Sequence, residues 1–239
     1  MNVAVLVDII KETKSNWRFI FEDPLLDKIN MISGMLVQLC SKPGMEGSAV
    51  RNYSVASWAD GTPRFELIIT YLEGGAMSEY LFKEAKIGDE FVYRGPMGVF
   101  TLPETIDRDL YLVSTGSGIS PFRSMINYIA LNGVPTQEVK LFFGTRKQED
   151  ICYWEEMKLI ESILPNFEFI PTLSQEEWEG KTGYVHEHYL KLIDEKELLG
   201  LQKPLVYYCG WDRMVKEGRE HLSKRGFEMT KDIRVEIFG

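Results

Sequence analysis

Through about the first hundred residues, apolar positions come in short β-rich runs, several of them alternating with polar positions. The runs are MNVAVLVDII (1–10), NWRFIFED (16–23), MISGMLVQLC (31–40), RNYSVASW (51–58), RFELIITYL (64–72) and GDEFVYRGPMG (88–98). Turn-forming clusters such as SKPGMEG (41–47) and ADGT (59–62) separate them. Many short strands at this spacing predict an antiparallel barrel or sandwich. One short helix, at about 78–85, interrupts them where MSEYLFKEA (77–85) carries apolar residues at helical spacing.

Between Pro103 and Arg108 the period changes. DLYLVSTG (109–116) leads to SPFRSMINYIALNG (120–133), and KLFFGTR (140–146) leads to EDICYWEEMKLIESIL (149–164). FEFIPTLS (167–174) then leads to YVHEHYLKLID (184–194), and PLVYYCG (204–210) to WDRMVKEGREHLSKRG (211–226), before the final run IRVEIFG (233–239). Strand and helix alternating at this period predict a parallel sheet with right-handed crossovers. The pattern divides the 239 residues into a β-domain, 1–103, and an α/β domain, 104–239.

Composition narrows the function. Hydrophobic residues make up 44% and charged residues 26%, a globular balance with enough apolar surface for two cores. A net charge of −9 argues against a nucleic-acid partner. Three widely spaced cysteines, Cys40, Cys152 and Cys209, suit neither a disulfide framework nor an iron–sulfur cluster with four cysteine ligands held in this chain. The opening apolar run is too short to span a bilayer and has no basic segment before it, so the expectation is a cytoplasmic protein with no membrane insertion.

Three segments carry candidate chemistry. LYLVSTGSGISPFRSMI (110–126) reads as a buried strand, a glycine-containing loop and an amphipathic helix. Ser120 suits an N-cap and Pro121 the first helical position, while Gly116 and Gly118 allow close backbone approach to an anion at the helix start. The pair lacks the third glycine of a dinucleotide fingerprint, and a plain βα turn accommodates it equally well. Arg51-Asn52-Tyr53-Ser54 offers a cation for a pyrophosphate, a ring for stacking and a hydroxyl. Strand alternation places Arg51 and Tyr53 on one face and Ser54 on the other. Gly74-Gly75-Ala76-Met77-Ser78 makes a second anion-binding turn at a helix start. His186 and His188 diverge on a helix and read as a solvated helix start rather than a metal pair, so no metal site is expected.

In order along the chain, RNYS (51–54), GGAMS (74–78), GPMG (95–98), TGSGISPFRSM (115–125), FGTR (143–146), CGWDRMV (209–215) and VEIF (235–238) resemble the ferredoxin–NADP reductase superfamily. The resemblance implies an N-terminal antiparallel FAD-binding β-barrel followed by a Rossmann-like NAD(P)-binding domain. It places Tyr53 on the isoalloxazine, Arg51 on the FAD pyrophosphate and Ser54 near flavin N5. Gly75, Met77 and Ser78 cradle the FAD diphosphate, which favours FAD over FMN. Tyr71 stands beside Thr70 where relatives often carry a basic residue. Thr115, Gly116, Ser117, Gly118 and Pro121 form the dinucleotide's pyrophosphate site. Thr145 and Arg146 extend that site, as do Asp212 and Met214 beyond Cys209 and Gly210, where the nicotinamide is expected. Glu236 matches a family carboxylate near the flavin, and Phe238 matches an aromatic that covers the flavin face. Ser54, Cys209 and Glu236 are thus the expected catalytic set. Arg146 and Lys147 lean the dinucleotide toward NADPH, whereas Gln175 after Ser174 and the segment WEGKTGYV (178–185) resemble NADH-dependent relatives. The implied activity is an FAD-dependent NAD(P)H reductase, acting as a monomer on a small electron carrier, ferredoxin or flavodoxin. Two alternatives are the reductase component of an oxygenase and an electron-transfer subunit of a larger complex.

Overall fold

The computed structural model describes residues 1–41 and 49–238. The turn predicted at SKPGMEG, beyond Ser41, and the terminal Gly239 lie outside them. The chain forms two compact units, Met1–Thr101 with Ser120–Tyr128, and Leu102–Ile119 with Ile129–Gly239. The segment Ser120–Tyr128, which follows the strand and loop of the α/β pattern, therefore groups with the β-unit.

The first unit is a six-stranded antiparallel sheet of β1 (Asn2–Lys11), β2 (Asn16–Glu22), β3 (Leu36–Cys40), β4 (Val50–Ser54), β5 (Arg64–Thr70) and β6 (Glu90–Met97). Its spatial order is β4-β3-β6-β1-β2-β5. The sheet curls so that the chain just past β4 meets β5, where the Ala56 N–H donates to the Glu66 carbonyl at 2.8 Å. Inward positions are filled by rings. Phe21 lies stacked on Phe65 at 5.3 Å and edge-on to Phe91 at 5.2 Å. Helix α1 (Ala76–Lys83) lays Phe82 against Trp17, with ring centroids 4.5 Å apart. The helix begins two residues before the predicted start, because Gly75 is its N-cap and Ser78 already lies inside its first turn.

A buried carboxylate anchors this unit. Glu66 accepts a bidentate pair from Arg18, at 2.8 and 2.9 Å, and its Oε1 lies 3.3 Å from the Arg123 guanidinium. Arg123 also donates to the Ala56 carbonyl at 2.9 Å and lies 5.4 Å from the centre of the Trp58 ring. Burying Glu66 costs desolvation energy that two cations and a fork geometry offset.

The second unit is a six-stranded parallel sheet of β7 (Leu110–Thr115), β8 (Val139–Thr145), β9 (Phe167–Leu173), β10 (Lys181–Thr182), β11 (Leu205–Trp211) and β12 (Ile233–Phe238). Its order is β10-β9-β8-β7-β11-β12. Its helices are α3 (Trp154–Ile163), α4 (Val185–Leu198) and α5 (Asp212–Ser223), with the last residues of α2 (Ser120–Asn132), whose first nine group with the β-unit. The first strand, β7, lies between β8 and β11, so the strand order reverses there. That reversal leaves a crevice outside the carboxyl ends of the strands, where open α/β sheets bind ligands. Two-residue β10 escaped prediction, being too short for any periodicity.

The core of this unit holds a polar chain that the sequence pattern hides. Tyr208 donates to the Tyr189 hydroxyl at 2.8 Å, and the Tyr189 hydroxyl is hydrogen-bonded to His186 Nδ1 at 2.7 Å. Gly218 makes room for it, since a Cβ there would sit 2.7 Å from the Tyr208 ring. His186 is thus buried and partnered, not part of a solvated helix start. His188 turns the other way, toward the Thr182 carbonyl at 2.9 Å. Among the described residues no group of three or more His, Cys, Asp or Glu side chains could hold a metal, and no helix is long and apolar enough to cross a membrane.

Two stability effects follow. Glu66→Ala leaves Arg18 and Arg123 without their shared carboxylate, and urea unfolding should show a loss of about 3–5 kcal/mol, the cost of breaking a buried pair; an unchanged midpoint would refute the anchoring role. Burial, reinforced by His221, holds the His186 pKa down to about 4. Between that value and the ordinary one near ~6.5, the unfolded chain binds the extra proton. The stability conferred by neutral His186 is therefore fully present above about pH 6.5 and is lost as pH falls toward 4. His186→Gln should flatten the decline of the urea midpoint across that window, and an equally steep decline in the variant would contradict this.

Candidate functional site

The carboxyl end of β7 turns through a single 3-10 turn, Gly116–Ile119, directly into α2. Gly116 has a φ of 54°, in the left-handed region that glycine tolerates. Gly118 lies so close to β11 that a Cβ would meet the Cys209 carbonyl oxygen at 2.3 Å. Gly210, with a φ of 137°, would place a Cβ 2.5 Å from the Thr115 hydroxyl. The Trp211 N–H donates to that hydroxyl at 3.3 Å. Thr115, Gly118, Cys209, Gly210 and Trp211 therefore form one tightly built junction at the strand-order reversal. The α2 N-cap is Ile119, with no side-chain capping bond, and Pro121 is the second helical residue. Ser120 is thus helical and not the cap, because the 3-10 turn runs straight into the helix. Backbone N–H groups at the start of such a helix favour an anion.

Cys209 pairs in register with Ser114 on one side and Glu236 on the other. Its sulfur is 3.9 Å from Glu236 Oε2. Burial, then the nearby Glu236 carboxylate, push the thiol pKa well up, so it stays protonated and is no nucleophile. Ser114 is fully buried, with no partner for its hydroxyl among the described residues. Phe238 is half-buried and in register with Trp211. Trp211 itself is 60% exposed, and the sequence reading passed over it. Asp212 opens α5 and pairs with Lys216 at 2.7 Å, whereas the Met214 thioether is packed into the core of the unit.

At the next strand end, Thr145 is tied through its carbonyl to the Ser174 N–H at 3.0 Å, and Arg146 through its carbonyl to the Gln175 N–H at 3.0 Å. The Arg146 side chain is exposed. Glu176 accepts from the Gln148 N–H at 2.8 Å and puts a carboxylate at the same corner.

In the first unit, β4 runs from exposed Arg51 to buried Ser54, with Tyr53 half-buried between. Among the described residues Arg51 donates to the neighbouring Val50 carbonyl, at 2.8 Å. Burial pushes the Tyr53 phenol up to about 12, partly offset by the Arg51 charge, so the ring is neutral. The α1 turn holds more than the motif revealed. Ser78 donates to the Leu72 carbonyl at 2.7 Å and accepts the Leu72 N–H at 3.2 Å, so its hydroxyl is turned inward. Met77 is buried and presents only its backbone. Glu79, absent from the sequence reading, accepts from the Tyr71 hydroxyl at 2.7 Å and from the Gly74 N–H at 3.1 Å, and pairs with Lys83. Lys83, Tyr71 and the Gly74 N–H hold its pKa down to about 2. An i, i+4 spacing marks the Glu79–Lys83 pair, but nothing in the sequence marks Tyr71 as its third member.

These arrangements fit the groups a flavin and a dinucleotide require. An exposed guanidinium beside a neutral half-buried ring, and two glycine turns at helix starts, suit diphosphate and planar-ring ligands. Residues 4–102 match the oxidoreductase FAD-binding domain, and residues 112–220 match the oxidoreductase NAD-binding domain. Ferredoxin–NADP reductase B of Sorangium cellulosum is 37% identical over 179 residues, covering 73% of this chain and 72% of that protein. The anthranilate 1,2-dioxygenase electron transfer component of Acinetobacter baylyi is 30% identical over 178 residues, and the match covers 73% of this chain but only 50% of that longer protein. Among solved structures, a cytochrome P450 reductase from Amycolatopsis superposes with a TM-score of 0.87 at 25% identity, covering 99% of this chain and 69% of that one. With both halves of its sheet architecture and both domain signatures in place, the chain belongs to the ferredoxin–NADP reductase family of FAD-containing NAD(P)H oxidoreductases.

Proposed function

We propose that the protein takes electrons from NADPH, or from NADH, and delivers them singly to a ferredoxin or flavodoxin. The observation that carries this reading is the pairing of an exposed Arg51 and half-buried Tyr53 on one strand with a glycine-built anion turn at the switch point of the parallel sheet. When bound, FAD supplies the chemistry that converts a two-electron hydride donor into a source of single electrons. The chain's own part is to bind, orient and protect.

In this reading residues 1–103 hold FAD and residues 104–239 hold the dinucleotide. Arg51 neutralises the FAD diphosphate, Tyr53 covers a ring face, and the Gly75–Ser78 backbone offers N–H groups to phosphate. Because the Ser78 hydroxyl is already bonded to Leu72, its contribution is the backbone N–H. Ser54 holds a hydroxyl at the reacting end. Gly116, Ser117 and Gly118 with the start of α2 take the dinucleotide's pyrophosphate. Cys209, kept as a neutral thiol, offers a polarizable contact to the nicotinamide ring. Glu236 is a charged group beside Cys209, and it serves to move or hold a proton. Arg146 takes an adenosine 2′-phosphate, which makes NADPH the preferred donor. The protein works as a cytoplasmic monomer.

The oxygenase-reductase reading is supported by relatives such as the anthranilate dioxygenase component, and the acceptor separates the two. Steady-state reduction of ferredoxin, flavodoxin and an oxygenase-type iron–sulfur protein, with each dinucleotide, tests both; rapid turnover with the last protein alone would displace the ferredoxin reading. Arg146→Ala should raise the KM for NADPH by roughly 10- to 100-fold, the worth of about 1.5–3 kcal/mol for hydrogen bonds to a charged group, and leave the KM for NADH unaltered. An unchanged NADPH KM would remove Arg146 from the site.

A further inference from the structure

We propose that Arg123 is a positioning residue, holding the Ser54 hydroxyl in place through the backbone that follows it; this rests on Ser54 standing at the reacting end of the flavin. Ser54 is the last residue of β4 and is buried, although the strand is exposed over its first three residues. The next three residues are pinned one after another. The Val55 N–H donates to the Met35 carbonyl at 2.9 Å, and the Ala56 N–H to the Glu66 carbonyl at 2.8 Å. Ser57 Oγ accepts the Glu66 N–H at 3.0 Å. The Ala56 carbonyl accepts from Arg123 at 2.9 Å, so this fully buried residue is held through both its N–H and its C=O. Arg123 belongs to α2 but lies in Ser120–Tyr128, which groups with the β-unit, and the bond is internal to that unit.

Stability alone does not call for charge here. Arg123 and Glu66 are both buried, and their attraction offsets little more than the desolvation it requires. Buried ion pairs exchanged for apolar side chains of like volume often leave a protein equally stable. What the ions supply is direction. One nitrogen, Arg123 Nη1, meets the Ala56 carbonyl at 2.9 Å and Glu66 Oε1 at 3.3 Å. Glu66 is in turn fixed by the Arg18 fork, at 2.8 and 2.9 Å, and the Arg123 guanidinium lies over the Trp58 ring at 5.4 Å. A donor held by a fixed carboxylate and a ring has one place to put its N–H, which sets the orientation of the Ala56 carbonyl. Ser54 lies two residues back along the same pinned chain. A hydroxyl that serves a reacting atom tolerates little displacement, since a misplacement of about 1 Å costs up to about 100-fold in rate.

The test uses purified holoenzyme, the preferred dinucleotide as donor and ferricyanide, a small acceptor that needs no protein docking. Arg123→Met keeps an unbranched stem and removes the donor; it should lower kcat roughly 10- to 100-fold and leave the dinucleotide KM and the bound FAD unaltered. Arg123→Lys should restore most of the rate, because a single nitrogen makes both contacts. Ser54→Ala should lose a similar factor, and the double variant no more than either single one, as for two residues acting through one hydroxyl. Where Arg123→Met does not fold, Arg123→Gln, whose amide falls short of Ala56, takes its place with the same expectations. An unchanged kcat overturns the proposal, as do losses that multiply in the double variant. So does a raised KM at native kcat, which would make Arg123 a binding residue, or a rate that falls only in step with bound FAD, which would make its role purely structural. Native rates in Ser54→Ala remove Ser54 from the reacting end, and the proposal with it, while leaving the donor reading intact. If the native protein reduces ferricyanide with neither dinucleotide, the donor reading itself fails and takes the proposal with it.

Discussion

The absence of a side chain at Gly118 is the constraint on which the ligand edge of the second unit depends. A single methyl group there would press on the Cys209 carbonyl, and one at Gly210 would press on Thr115. Both contacts are shorter than any real Cβ tolerates; at Gly118 relief means moving backbone, and at Gly210 it means displacing the Thr115 hydroxyl. Because they hold, α2 starts hard against the end of β11, and the Thr115 hydroxyl can receive the Trp211 N–H. Glycine is often credited with letting a chain approach a ligand. Here the first thing it lets the chain approach is itself, and the ligand site is the by-product of that fit.

The first unit reaches the same end through charge. Glu66 is buried and held by Arg18 and Arg123, so these cations serve the architecture. Among the described residues Arg51 donates to a neighbouring carbonyl, and exposed Arg146 is engaged through its backbone. The contrast separates cations that hold the fold from those whose side chains stay at the surface. Glu79 adds a third case, a surface carboxylate drawn in by Tyr71, Gly74 and Lys83 beside the very turn that suits an anion.

Most of the architecture was legible in the sequence because it rests on local periods. Short alternating runs marked the antiparallel strands, and strand–helix alternation marked the parallel sheet. The glycine motifs located the turns at residues 74–78 and 115–118, and the ordered resemblance supplied FAD and the dinucleotide. What stayed hidden depends on partners distant in sequence. Ser120 looked like a cap because the 3-10 turn before it carries no signature of its own. His186 looked solvated because Tyr189, its neighbour one turn on along α4, is joined in the core to Tyr208, a residue of β11 distant in sequence. Met214 read as part of a binding motif, but the amphipathic face of α5 turns it into the core. Trp211 was in plain view within CGWDRMV, yet its exposure follows from the position of β11 in the sheet, which no local pattern encodes.

The tightness of the junction at Gly118 and Gly210 also divides this edge of the sheet into parts that tolerate substitution very differently. Backbone packed against backbone at Gly118 leaves no graded route for substitution, so the turn behaves as a fixed jig. The side chains mounted around it, Trp211 at one strand end and Arg146 at another, project into solvent and can be exchanged without disturbing it. A protein built this way can exchange single residues at its rim while the backbone geometry between the strand ends stays as it is.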